Sequence, residues 1–134
     1  MKKYIFLLIL VLSLSSCTQA IQEKQLEKAR DTSRITDMKL LETWVQQFFM
    51  DNSSYPAELS EISTYLYTIP TDPKNWETIN WKTYWYIYET SKNEEWVIDS
   101  FRISTYFESE ENSIKYTMDN GIYDDKFDIG SNTK

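Results

Sequence analysis

The sequence predicts an α+β fold, with one long N-terminal helix whose second half packs on a small antiparallel β-sheet and a short helix and loops between them. Three observations predict it. From Ile21 to about Met50 the chain holds no Gly or Pro and many straight-chain residues, which favours one continuous helix. Thr83 to Thr90 and Glu95 to Ser104 are dense in Tyr, Trp, Ile, Val and Phe and are separated by Ser91-Lys92-Asn93-Glu94, the pattern of a hairpin. The helix carries a wide apolar stripe, and a helix with one apolar face needs a second layer to cover it.

The first element is an address label. Met1-Lys2-Lys3 is a short positive start, and Tyr4 to Leu14 is an apolar run ending at Ser15 and Ser16, the layout of a secretory signal. The run falls short of the ~20 apolar residues that a spanning helix needs. Leu14-Ser15-Ser16-Cys17 resembles the bacterial lipobox. That resemblance implies cleavage before Cys17 and a diacylglyceryl group and acyl (palmitate-type) lipid on it, two chains being enough for stable anchoring. The alternative is a plain secretory signal with an incidental Cys. The expected organisation is a signal peptide at 1–16, a lipidated Cys17 with a polar helical stalk at 17–30, and a head domain at 31–134. Localisation follows: lipid-anchored and extracytoplasmic, at the cell membrane or the outer membrane, with Thr18 after the Cys favouring the outer one where a cell has two.

The long helix divides in two. Between Gln22 and Asp31 only Leu26 and Ala29 are apolar, which suits a solvated stalk. Beyond it Ile35, Met38, Leu41, Val45 and Phe48 recur at helical spacing, flanked by Leu40, Trp44 and Phe49. Five acids and five bases lie between Ile21 and Met50, so pairs such as Glu27 with Arg30 and Asp31 with Arg34 read as a solvated charged face.

The helix should stop near Asp51-Asn52-Ser53-Ser54-Tyr55-Pro56, where turn formers gather and Pro56 blocks continuation. A short helix is expected over Glu58 to Leu66, with Leu59, Ile62 and Leu66 inward, before Ile69-Pro70-Thr71-Asp72-Pro73 returns the chain to loop. The hairpin follows. After the acidic turn Glu108-Ser109-Glu110-Glu111-Asn112, weaker strands are expected within Ile114 to Met118 and Lys126 to Ile129.

Composition narrows the chemistry. The 134 residues include no His and one Cys, which excludes histidine-assisted zinc sites, Cys/His and Ser/His pairs and internal disulfides. Two glycines leave no room for a phosphate-cradling loop. With 14 basic and 21 acidic residues the formal charge is −7, which argues against nucleic acid. Removal of Lys2 and Lys3 with the signal leaves 12 basic residues and a charge of −9. From Glu89 to Asp128 there are 11 acids and four bases, so the excess sits in the second half of the head, where it can steer cations or simply keep a tethered head soluble.

From about Ala29 to Asn132 the order of features resembles the soluble part of a type IV pilin or pseudopilin, and is most similar to the major pseudopilins of type II secretion. The resemblance is carried by Ala29-Arg30-Asp31-Thr32-Ser33-Arg34-Ile35 opening the packed half-helix, Asp51 to Pro56, Tyr65-Leu66, Ile69-Pro70-Thr71-Asp72-Pro73, Tyr84-Trp85-Tyr86, Asp119-Asn120-Gly121 and Phe127-Asp128-Ile129-Gly130. Two parts of the family pattern are missing. There is no Gly-Phe-Thr-Leu-x-Glu processing site, and the stretch after Cys17 is polar where a pilin has an apolar half-helix. The expectation is therefore a pilin-like head on a lipid anchor, held beside the membrane instead of polymerised by the standard route.

Two groups are candidates for binding. Asp119, Asp124, Asp125 and Asp128 lie close in sequence, and hard oxygen ligands on a turn suit calcium. The family resemblance implies a calcium loop at this place; the alternative is an ordinary acidic turn, since the spacing is not that of an EF-hand and Lys126 adds a competing charge. In the aromatic strand Tyr84, Tyr86 and Tyr88 alternate against Trp85 and Ile87. Either one face is an exposed platform for sugar rings or a protein partner, or the segment Asn75 to Trp81 folds over it, the reading favoured. No catalytic constellation stands out, so the expected function is non-enzymatic: a structural or interaction part of a type II secretion or type IV pilus-like apparatus, with envelope proteins as partners. The alternative is an envelope surface module that binds carbohydrate or peptidoglycan through exposed Tyr and Trp.

Overall fold

A computed structural model describes residues 2–119 and 121–131, with side chains from Gln19 onward. The first helix, α1, runs Lys2–Asn52. Its packed half follows the expected stripe: Met38, Leu41 and Val45 have no exposed surface, and Ile35, Trp44 and Phe48 pack partly buried against them. Residues 19–26 are exposed, the apolar Ile21 and Leu26 with the polar side chains around them. Among the described residues no helix is long and apolar enough to cross a membrane.

The helix ends where turn formers begin. Ser53 adopts a left-handed conformation (φ 57°) and donates its N–H to the Phe49 carbonyl at 2.8 Å. Tyr55 then bonds to the Ile98 carbonyl, and its ring stacks on Phe49 at 4.4 Å, which ties the helix end to the sheet. A six-residue 3-10 helix, Leu59–Thr64, stands where a short helix is expected and buries Ile62, with Leu59 and Leu66 half-buried.

Two small antiparallel sheets follow. Strands β1 (Thr78–Ile79) and β2 (Lys82–Thr83) form a minimal hairpin around Asn80-Trp81. Strands β3 (Ile87–Lys92), β4 (Ile98–Thr105) and β5 (Phe127–Gly130) form a sheet in that order, with Ile87 opposite Ser104 and Thr105 opposite Phe127. The expected hairpin is present with shifted ends. Its first strand starts at Ile87, because Thr83 pairs within the smaller hairpin, and it runs on to Lys92 because Asn93 closes the turn. The Asn93 side chain accepts the N–H groups of Glu95 and Val97 at 2.9 and 3.0 Å.

The stretch Ile114–Thr117 corrects an expectation: it is a 3-10 helix and not a strand. Ser109 caps the preceding turn, α2 (Glu110–Ser113), by accepting the Asn112 N–H, and the helical path continues until Tyr116 stacks on Phe107 at 5.5 Å. Phe127, opposite, completes the core with Phe101, Ile103 and Phe107. Gly130 fits only as glycine, since a Cβ there would lie 2.3 Å from the Phe101 carbonyl oxygen.

Candidate functional site

The most highly connected polar group in the head is a buried ionic junction at the end facing the stalk. Asp31 and Arg34 continue the spacing of Met38, Leu41 and Val45 toward the N-terminus, so helical geometry turns them inward with the apolar stripe. Both are fully buried. Arg34 makes a two-pronged contact with Asp72, Nε to Oδ2 at 2.7 Å and Nη2 to Oδ1 at 2.9 Å. Its Nη1 reaches Asp31 at 2.8 Å and Glu108 at 2.7 Å, and the guanidinium lies 4.7 Å from the Tyr84 ring centre. Asp31 also accepts the backbone N–H groups of Glu108 and Ser109, both at 2.9 Å, and the Ser109 hydroxyl at 2.7 Å. Arg30 closes the outer side on Glu108, with Nη2 to Oε2 at 2.6 Å.

Electrostatics favour the charged forms of Arg34 and Glu108. Burial works against charge on Arg34, but the bonds to Asp72 and Glu108 outweigh it and raise the Arg34 pKa. Burial likewise opposes the Glu108 carboxylate, and the hydrogen bonds from Arg30 and Arg34 overcome it, holding Glu108 below the usual carboxylate range. Each acid oxygen faces a fixed cation or N–H donor, an arrangement that fastens three segments together. The solvated charged face expected here is therefore only partly present. Asp31 and Arg34 are core, and Arg30 pairs with Glu23 and Glu108 and not with the expected Glu27.

At the C-terminal loop the structure brings Asp119 and Asp128 together. Asp119 accepts the N–H of Gly121 at 2.8 Å and that of Asp128 at 3.0 Å. Asp128, fully buried, accepts those of Ile122 and Tyr123 at 3.0 and 3.3 Å, with Arg102 Nε 3.3 Å away. Gly121 lies so close that a Cβ on it would overlap the Asp128 carboxylate. Asp124 and Asp125 are exposed, and no three of the four aspartates gather as a metal shell among the described residues. The donors that meet Asp119 and Asp128 suit a clasp that closes the loop on itself. Burial raises the pKa of Asp119.

Of the three tyrosines expected on one strand face only Tyr88 lies in a strand, since Tyr84 and Tyr86 precede β3 in irregular chain, and all three make inward contacts. Tyr84 is buried, Tyr86 donates to Asp37 at 2.8 Å and Tyr88 to the Pro56 carbonyl at 2.8 Å; burial, chiefly, lifts the pKa of all three phenols. Trp85 lies against Trp76, with ring centres 4.4 Å apart, so of the 75–81 segment Trp76 covers that ring. Among the described residues the aromatic rings that remain open are those of Tyr67, Trp76, Trp81 and Trp96.

The Cys17 side chain lies outside the described residues. No protein-family model, curated protein or solved structure significantly matches the chain.

Proposed function

We propose that this chain is a non-enzymatic, lipid-anchored envelope protein whose pilin- or pseudopilin-like head serves as a structural or interaction part of a type II secretion or type IV pilus-like apparatus. The observation that carries the reading is the division of α1. Residues 19–26 are exposed, the apolar Ile21 and Leu26 among them, whereas from Lys28 onward the helix meets the loops and sheet, so the helix is at once a stalk and one layer of the head. Placed after the lipobox-like Leu14-Ser15-Ser16-Cys17, such a rod sets a head off from a membrane surface. A polar rod is unsuited to the apolar centre of a filament, because its charged groups would lose their water without gaining partners. The head is therefore tethered beside the apparatus, with calcium given no part in the reading.

Mass spectrometry of the mature N-terminus tests the anchor. A chain that begins at Cys17 with a diacylglyceryl modification is expected, and an unmodified chain that begins elsewhere would overturn it. Pull-down from envelope extracts tests the partnership: co-purification of secretion or pilus components is expected, whereas native filaments built mainly of this chain would refute the tether.

A further inference from the structure

The tip of the small β1–β2 hairpin holds an unusual residue. Asn80 and Trp81 form its two-residue turn with φ of 48° and 67°, so both take the left-handed conformation that such turns require. Asn is at home there, but the second position favours Gly, and a bulky ring in that conformation is a genuine outlier. Strain of this kind clusters at functional sites, and Trp76 and Trp96 share the conformation with φ of 69° and 64°. Trp81 is 71% exposed.

The surroundings of Trp81 supply a chemistry. Its ring meets Tyr106 edge-on at 5.7 Å. Lys82 Nζ lies 5.7 Å and Lys126 Nζ 5.8 Å from the centre of the Tyr106 ring, and Lys126 is also 4.0 Å from that of Tyr123. Among the described residues neither lysine forms an ion pair; Lys82 has one long bond, 3.5 Å, to the Phe107 carbonyl, and both rest on aromatic faces. Asp125 is the acid whose charge is felt at the Tyr106 phenol. In a chain of formal charge −7, this patch thus presents an open indole with two ammonium groups that lack a carboxylate partner.

From this patch we infer that Trp81, Lys82, Tyr106 and Lys126 form a binding surface for an acidic polysaccharide. The indole offers a flat apolar face to the C–H side of a sugar ring, and the two ammonium groups meet carboxylate or phosphate substituents on the polymer. A lipid surface is the weaker match. Lys82 sits against Phe107, next to the Glu108 that Arg30 and Arg34 hold, so the patch lies level with Arg34. At 1.5 Å per residue that level is about 25 Å above Cys17 along an upright helix. This height rests on the proposed anchor; the ligand chemistry does not.

Affinity electrophoresis of the full chain in detergent, through gels containing polygalacturonate or neutral dextran, tests the surface. The parent should be retarded by polygalacturonate and not by dextran. Trp81→Gly should weaken retardation about tenfold, the scale of a lost anchor residue, while its melting temperature stays level or rises because glycine suits the turn. Lys82→Gln with Lys126→Gln should weaken it as well. Absence of retardation, equal retardation in dextran, or unchanged retardation of Trp81→Gly would overturn the inference. So would quenching by brominated phosphatidylglycerol vesicles that is stronger in the parent than in Trp81→Gly, without retardation by the acidic polymer. An unmodified Cys17 would leave the electrophoretic result untouched, so the two readings fail separately.

Discussion

Arg34 on α1 and Asp72 in the loop after the first 3-10 helix face one another through two hydrogen bonds, with both side chains fully buried although 38 residues separate them. A planar guanidinium and a carboxylate make two parallel bonds only when the two groups lie nearly coplanar, so the pair fixes where the Pro70–Pro73 loop sits on the helix as well as how tightly. Asp72 also accepts the Lys74 N–H at 2.8 Å, which turns the chain into the segment that carries Trp76 and the small hairpin.

Removing one partner of a buried pair leaves the other charge uncompensated, which costs roughly 3–5 kcal/mol. Asp72→Asn should fall toward the lower end of that range, because Asp31 and Glu108 still face the guanidinium. Urea unfolding monitored by tryptophan fluorescence measures it. A loss below about 1 kcal/mol, the size of an exposed pair, would show that the junction is solvated. Arg34→Lys should also destabilise, since an ammonium cannot reproduce the fork.

Glu108 predicts the acid limb of stability. Its folded pKa is held below the ordinary value of 4.5, so its contribution is full above that value and is lost as the pH falls through the lower folded one. Asp119 is raised and acts with the opposite sign, but it is present in both proteins of the comparison. Thermal melts of the parent and Glu108→Gln should therefore show a gap at neutral pH that narrows as the pH falls below 4.5. A gap independent of pH would mean that Glu108 acts through shape and not through charge.

How far the sequence could be read depended on how local each cause was. Apolar spacing is local, and Met38, Leu41 and Val45 are buried as the stripe implies. The burial of Asp31 and Arg34 was missed because an Asp and an Arg three residues apart look the same in a solvated helix. What distinguishes them is a carboxylate 38 residues away and the backbone of Glu108 and Ser109. A signal was nonetheless available: residues 31, 34, 38, 41 and 45 share one heptad-like spacing, so the ion pair lies on the apolar face. At Ile114–Thr117 the composition suited a strand, and the Ser109 cap set the chain into a helical path instead. The strained Trp81 could not be seen, because Asn-Trp is a poor match to the Asn-Gly that marks such turns.

The neighbouring leucines of α1 test its rotation about its own axis. Leu41 has no exposed surface and Leu40 is 39% exposed. Leu41→Ala removes core contacts and leaves a cavity, a loss of about 2–5 kcal/mol. Leu40→Ala should change stability by no more than about 0.5 kcal/mol. Chemical denaturation of the two variants beside the parent checks both, and equal losses would place the helix at a different rotation.

The aspartate clasp of the C-terminal loop predicts how that loop responds to calcium. Asp128 takes two backbone N–H groups and stands beside Arg102, while Asp119 takes the N–H of Asp128 itself, so the loop is closed by donors the chain already contains. Asp128→Asn places an amide where an acceptor is needed and removes the charge facing Arg102, which should cost about 1–3 kcal/mol. If the clasp alone closes the loop, melting curves should show the same loss in calcium and in chelator. A melting temperature that calcium raises in the parent but not in Asp128→Asn would instead mark Asp119, Asp124, Asp125 and Asp128 as a metal site that forms only when the ion displaces the N–H donors.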